Sequence, residues 1–161
     1  MRHVELHALV HLASAEEVFA TVPHWERYPD LAPHVRATTV HATLPEPVGS
    51  SSWELHFRSG LLRWSETDTF LSDELEIRFE QTDGDFDSFT GVWALRQEGP
   101  DVSVVFSAEF DFGIPSLASI LDPIAERVIR ETVAWALTGF YPGTTILDSD
   151  IDLASAVPST S

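Results

Sequence analysis

From Asp101 to Phe112 the chain alternates almost without interruption. Val104, Phe106, Ala108, Phe110 and Phe112 fall on one side, and Ser103, Ser107, Glu109 and Asp111 on the other. A period of two over this length fits a strand with one face in a core and one in water. Such a strand is stable only within a sheet whose buried face is covered by a second layer, so the rest of the chain must supply both.

It supplies the sheet between Ser51 and Leu95. Trp53, Leu55 and Phe57 share a face, as do Leu62, Trp64 and Phe70, then Leu75, Ile77 and Phe79, then Phe89, Gly91, Trp93 and Leu95. Ser59-Gly60 and Asp83-Gly84-Asp85 are turn signals between these runs, as in an antiparallel meander. Two further strands are predicted, from His3 to Leu12 and from about Val35 to Leu44. Between them Ser14, with Glu17 three residues on, opens a short helix that Pro23 stops, and His24 to Pro33 reads as a second short helix broken by Pro29.

The covering layer is a long helix. Asp122 is a good N-cap, Pro123 suits the first helical position, and the apolar residues from Leu121 to Leu137 form a face too wide for a helix lying on solvent; Pro142-Gly143 ends it. The expected fold is α+β: a curved antiparallel sheet of about seven strands wrapped around one long C-terminal helix, with two short helices after the first strand. Residues 1–143 form the domain, and 144–161, rich in Ser, Asp and small residues, read as a tail.

A single helix covers a stripe only about 10 Å wide, so the hollow of a bent sheet needs other filling. The inward positions Trp53, Phe57, Trp64, Phe89, Trp93 and Phe106 either close that interior or line a pocket for an apolar ligand. Composition narrows the chemistry. The 161 residues include no Cys, Lys or Asn, which removes thiol nucleophiles, thiolate metal sites, Schiff-base lysines and the phosphate-loop lysine. A net charge of -17 disfavours nucleic acid and anionic lipid, no apolar run is long enough to cross a bilayer, and neither a basic-then-apolar leader nor a disulfide framework is present, so a cytoplasmic protein is expected. His3, His7 and His11 share a strand face at spacings of about 13 Å, too far apart for one metal ion, and no cofactor is expected.

Glu66 and Asp68 are the candidate catalytic pair. By alternation they point inward about 7 Å apart between Trp64 and Phe70, where burial and mutual repulsion raise carboxyl pKa values, and such a pair suits enolisation, aldol closure or dehydration. A bulge would instead turn them to solvent. His34 and Arg36 are placed either at the mouth of the cavity, polarising a ketone oxygen, or on the surface, whereas Arg63 and Arg78 point outward.

Several local motifs stand in a fixed order: Ala15-Glu16-Glu17-Val18-Phe19, Trp25-Glu26-Arg27-Tyr28-Pro29, Asp83-Gly84-Asp85-Phe86 with Gly91-Val92-Trp93, and Glu109-Phe110-Asp111-Phe112-Gly113-Ile114-Pro115. With the order of elements they resemble the START-like helix-grip superfamily, and within it the polyketide cyclase/dehydrase and coenzyme Q-binding-protein group. The resemblance implies a hydrophobic ligand between sheet and long helix, with Trp25 and Tyr28 bordering the entrance as ligand contacts or as plain packing. It implies either a cyclase or dehydratase acting on a polyketide-type intermediate, as in antibiotic biosynthesis, or a protein that only binds a quinone or lipid. Where such aromatases place Ser and Arg on the fourth strand, this chain has Glu66 and Asp68 after Trp64. Docking to an acyl carrier protein, itself acidic, is opposed by the net charge.

Overall fold

Strand pairing follows the alternation over most of the sheet in the computed structural model, which describes residues 1–154. The strands are β1 (Arg2–Val10), β2 (Val35–Ala42), β3 (Val48–Phe57), β4 (Gly60–Leu71), β5 (Glu76–Gly84), β6 (Ser88–Glu98), β7 (Asp101–Asp111) and β8 (Thr145–Ile146). They form one antiparallel sheet in the order β2-β3-β4-β5-β6-β7-β1-β8. The inward residues of β7 meet those of β1 directly, Phe106 opposite Leu6 and Ala108 opposite Val4, so the period-two pattern becomes one continuous buried face. Gly91 lets the inner face close up, because a Cβ there would lie 2.4 Å from the Phe79 ring.

Two short helices, α1 (Ala15–Thr21) and α2 (Tyr28–Leu31), follow β1, with a turn of 3-10 helix at Trp25–Arg27 between them. Ser14 caps α1 by accepting the Glu17 N–H at 3.2 Å, while the Ala15 N–H is taken by Gln97 of β6 at 2.7 Å. Pro29 lies in the first turn of α2 and does not break it, since the missing N–H has no intrahelical partner there.

The covering helix α3 runs Ala118–Phe140, and its buried side chains include Val128, Ile129, Val133 and Leu137. It starts a turn earlier than its apparent cap: the N-cap position is Leu117, with no side-chain bond, and Asp122 and Pro123 lie inside. A 3-10 turn at Pro115–Leu117 leads into it, so the start is set by how the chain leaves β7 and not by Asp122.

The sheet has eight strands, not seven, because the segment after Gly143 returns to the edge of β1. Thr145 and Ile146 pair with Leu9 and Ala8, and Asp148 accepts the His7 N–H at 2.7 Å. Arg130 of α3 forms two bonds to Asp150 at 2.7 and 2.9 Å and donates to the Glu5 carbonyl at 2.9 Å. Two residues are too short a strand to show a period, and residues 155–161 of the expected tail lie outside the described part.

Candidate functional site

Five alternate residues of β4, Leu62, Trp64, Glu66, Asp68 and Phe70, are all buried. The pairing with β5 does contain an irregularity at this place. It lies on β5: Ser65 pairs with Asp83 and Glu66 with Gln81, leaving Thr82 as the extra residue. The inward parity of β4 therefore survives, and both carboxyls stay inside.

Around them the polar groups form a short chain. The Trp64 indole N–H donates to Glu66 Oε1 at 2.8 Å, the Ser51 hydroxyl to Asp68 Oδ2 at 2.9 Å, and the Trp53 indole N–H to Ser51 Oγ at 2.9 Å. Asp68 Oδ1 and the Trp25 indole N–H are buried with no such partner. Burial pushes the Glu66 carboxyl well above its ordinary range, and the adjacent Asp68 pushes it further. Asp68 is raised by burial and held back by the neighbouring Glu66 and by the Ser51 hydroxyl. Tyr28, whose hydroxyl donates to the Val22 carbonyl at 2.8 Å, is raised well above its usual value by burial, with the Glu66 and Asp68 charges adding to this.

Glu66 borders a cavity of about 50 Å³ between the sheet and α3, lined also by Trp25, Tyr28, Trp53, Leu55, Trp64, Phe79, Phe89, Trp93, Phe106, Ile129, Thr132 and Val133. That is a third of the roughly 150 Å³ that accepts a benzene ring. The rings pack on one another: Trp53 lies parallel to Trp64 at 5.9 Å, and Phe89 stands edge-on to Trp64 at 5.3 Å and to Phe79 at 5.1 Å. The interior is thus fuller than the width of one helix suggests, because large side chains reach in from the sheet.

The model of the family described as polyketide cyclase / dehydrase and lipid transport matches residues 12–137. The chain belongs to that family. No curated protein matches it. Its fold is that of solved helix-grip proteins. A Thermus thermophilus protein is 24% identical over 86% of this chain and 93% of its own, with a TM-score of 0.75. The Zhui aromatase/cyclase of Streptomyces sp. R1128 is 14% identical over 84% and 91%, with a TM-score of 0.71. A START superfamily protein of Mycobacterium smegmatis is 19% identical over 86% and 96%, also at 0.71.

In this member of the polyketide cyclase / dehydrase and lipid transport family, Trp25, Tyr28, Trp53, Trp64, Glu66, Phe89, Trp93 and Phe106 meet at the cavity. Asp68, fully buried, stands behind Glu66 and is not part of the wall. Phe57 packs outside it on Phe112, with ring centroids 6.0 Å apart. Arg36 is exposed and pairs with Glu54, on the solvent side of β3 together with Arg63, so it does not reach the mouth. Arg78 likewise pairs outside, with Glu76 at 2.8 Å.

His34 is neither at the mouth nor on the surface. It is fully buried, its Nε2 lies 2.8 Å from Glu131 Oε1 of α3, its ring meets the edge of Trp135, and its Nδ1 has no partner. Burial lowers its pKa despite Glu131. Sequence reading missed Glu131 and the helix contribution of Ile129, Thr132 and Val133 to the wall. The inward stripe of α3 was visible, but which of its turns faces the carboxyls depends on the helix position. Among the described residues no cluster of three or more His, Cys, Asp or Glu side chains is placed to hold a metal ion, and no helix is long and apolar enough to cross a membrane.

Proposed function

We propose that the chain binds a small hydrophobic molecule between the sheet and α3 and acts on it by cofactor-free acid–base chemistry, as a cyclase or dehydratase of polyketide-type intermediates. The observation that supports this is the Glu66 carboxyl, facing a cavity otherwise lined mainly by aromatic and aliphatic side chains, with its pKa pushed up by burial. A carboxyl so shifted holds its proton to higher pH than an ordinary one, and its conjugate base is a stronger base than an ordinary carboxylate. In a dehydration the Glu66 carboxylate takes the α-proton of a β-hydroxyketone and, now protonated, gives that proton to the departing hydroxyl as the C–O bond breaks, so that water leaves, the enone forms and the carboxylate is regenerated. Glu66 is the catalytic residue in this reading. Asp68 is a positioning residue, orienting the Glu66 proton and raising its affinity through the contact between the two carboxyls.

A substrate larger than a few atoms enters only as the rings move, since the cavity is about 50 Å³. The test is turnover of small β-hydroxyketones, followed by mass spectrometry as loss of water. Glu66→Gln is expected to slow it by at least about 100-fold. Equal rates in wild type and in the Glu66→Gln/Asp68→Asn double variant would remove the catalytic assignment.

A binding role without turnover, for a quinone or lipid, is favoured by one observation: among the described residues no Arg or His side chain is part of the cavity wall to stabilise a developing enolate. Native mass spectrometry separates the two readings. A ligand recovered unchanged from protein purified from its own producer supports binding alone.

A further inference from the structure

Two successive residues of α3 leave the helix in different directions. Arg130 turns to β1 and the segment beside it: it donates to the Glu5 carbonyl at 2.9 Å, forms two bonds to Asp150 at 2.7 and 2.9 Å, and lies 3.8 Å from Asp148. Glu131 turns to the start of β2, where it meets His34 at 2.8 Å. Ile129, Thr132 and Val133 of the same turn line the cavity. The part of α3 that walls the cavity is therefore tied on two sides, to strands near opposite ends of the sheet order.

The two ties differ in kind. His34 is fully buried. The Arg130 tie runs through residues 145–150, which are held at the sheet edge. Thr145 and Ile146 pair with Leu9 and Ala8, the Leu147 N–H donates to the His7 carbonyl at 2.9 Å, Asp148 accepts the His7 N–H at 2.7 Å, and the Thr145 hydroxyl lies 2.8 Å from His11 Nε2. Past Asp148 the chain crosses from β1 to α3 and meets Arg130 at Asp150, whose side chain is 66% exposed against 14% for Arg130. A two-residue edge strand with a few solvent-facing bonds opens at small free-energy cost, whereas a tie within the core does not.

The cavity requires a movement of this sort, because its volume of about 50 Å³ is too small for a ring. We propose that residues 145–150 are a strap that holds the cavity-lining turn of α3 against the sheet, and that release of Arg130 from Asp148 and Asp150 lets this turn rise and admits the ligand. The proposal rests on the reading that the ligand lies between sheet and α3, and it adds what controls entry. Another contact between α3 and β1, Glu126 to Arg2 at 2.7 Å, bypasses the strap, and neither residue lines the cavity.

The test is stopped-flow mixing of the full chain with 1-naphthol, followed by tryptophan fluorescence, together with amide hydrogen exchange of α3 in the absence of ligand. Asp150→Asn and Arg130→Gln are each expected to speed association and dissociation alike by at least about threefold, with the dissociation constant kept within about twofold, because a gate alters the barrier and not the bound state. Exchange at residues 129–133 is expected to rise by a similar factor. Arg2→Gln removes one positive charge from the same flank, as Arg130→Gln does, and is expected to change neither rate. Asp150 is exposed enough for its variant to fold, so Asp150→Asn decides by itself if Arg130→Gln does not fold.

Association and exchange equal to wild type in the strap variants overturn the proposal and leave the ligand reading standing, and so does an acceleration that Arg2→Gln reproduces. Faster exchange without faster association makes the segment a brace and not a gate, and also overturns the proposal. If 1-naphthol binds neither wild type nor variants, the ligand reading falls and the gate falls with it.

Discussion

Glu66 of β4 and Glu131 of α3 are both buried acids, 5% and 7% exposed, and they differ in their company. Glu131 meets the His34 ring at 2.8 Å, a hydrogen-bond partner, and Arg127 at 3.5 Å, a cation that compensates its charge. Glu66 meets another acid, an indole N–H and a wall of rings. The first arrangement ties the start of β2 to α3 and is structural. The second sets two buried acids side by side with neutral donors from Trp64 and Ser51, which is the pattern of groups held ready for a ligand or a proton transfer.

The largest expected effect tests the structural half of that contrast. His34→Ala removes a fully buried hydrogen-bond partner and opens a cavity beside Glu131, leaving it only Arg127, so the stability measured by denaturant unfolding is expected to fall by about 3 kcal/mol. A loss below about 1 kcal/mol would place His34–Glu131 among ordinary surface pairs and erase the distinction.

A smaller effect comes from pH. Burial lowers His34, so its contribution is present above its ordinary value of 6.5 and is lost as pH falls through the native value. Burial raises Glu66, so its contribution is present below its ordinary value of 4.5 and is lost as pH rises toward the native value. Between these limits the two groups tilt stability in opposite directions. Relative to wild type, Glu66→Gln is expected to make stability rise more steeply with pH over this range, and His34→Gln to make it rise less. Unfolding midpoints measured at several pH values check both; slopes that shift the same way in both variants would break the contrast.

The smallest effect is at Glu54, which pairs with Arg36 and with Arg63 at 3.1 Å on the outer face. Glu54→Gln is expected to change the unfolding free energy by less than about 0.5 kcal/mol, and added salt is expected to shrink that further.

The inward placement of Glu66 and Asp68 was legible because parity along one strand is a local property: Trp64 and Phe70 fix the face, and the residues between them follow. The bulge that threatened it fell on the partner strand, at Thr82, which the sequence of β4 does not encode. The return of Thr145–Ile146 to β1 was not legible, since two residues carry no period and the partner lies far away in the chain. Asp122 misled for a related reason. A cap residue shows where a helix can begin, but the exit from β7 had already started α3 at Ala118.

His34 shows the same limit at the site itself. Its neighbours in sequence describe a loop after α2, and its partner Glu131 is a helical position 97 residues on. The sequence alone determined the first seven strands, most of their inward faces, the aromatic character of the interior and the absence of lysine and thiol chemistry, because each follows from composition or from a short period. Only the tertiary structure decided how nearly the rings fill the hollow, which acid borders the cavity and which stands behind it, and which acid acquires a compensating partner. These depend on the depth and rotation at which α3 sits against the sheet, and that is set by many packing contacts at once and by no local pattern.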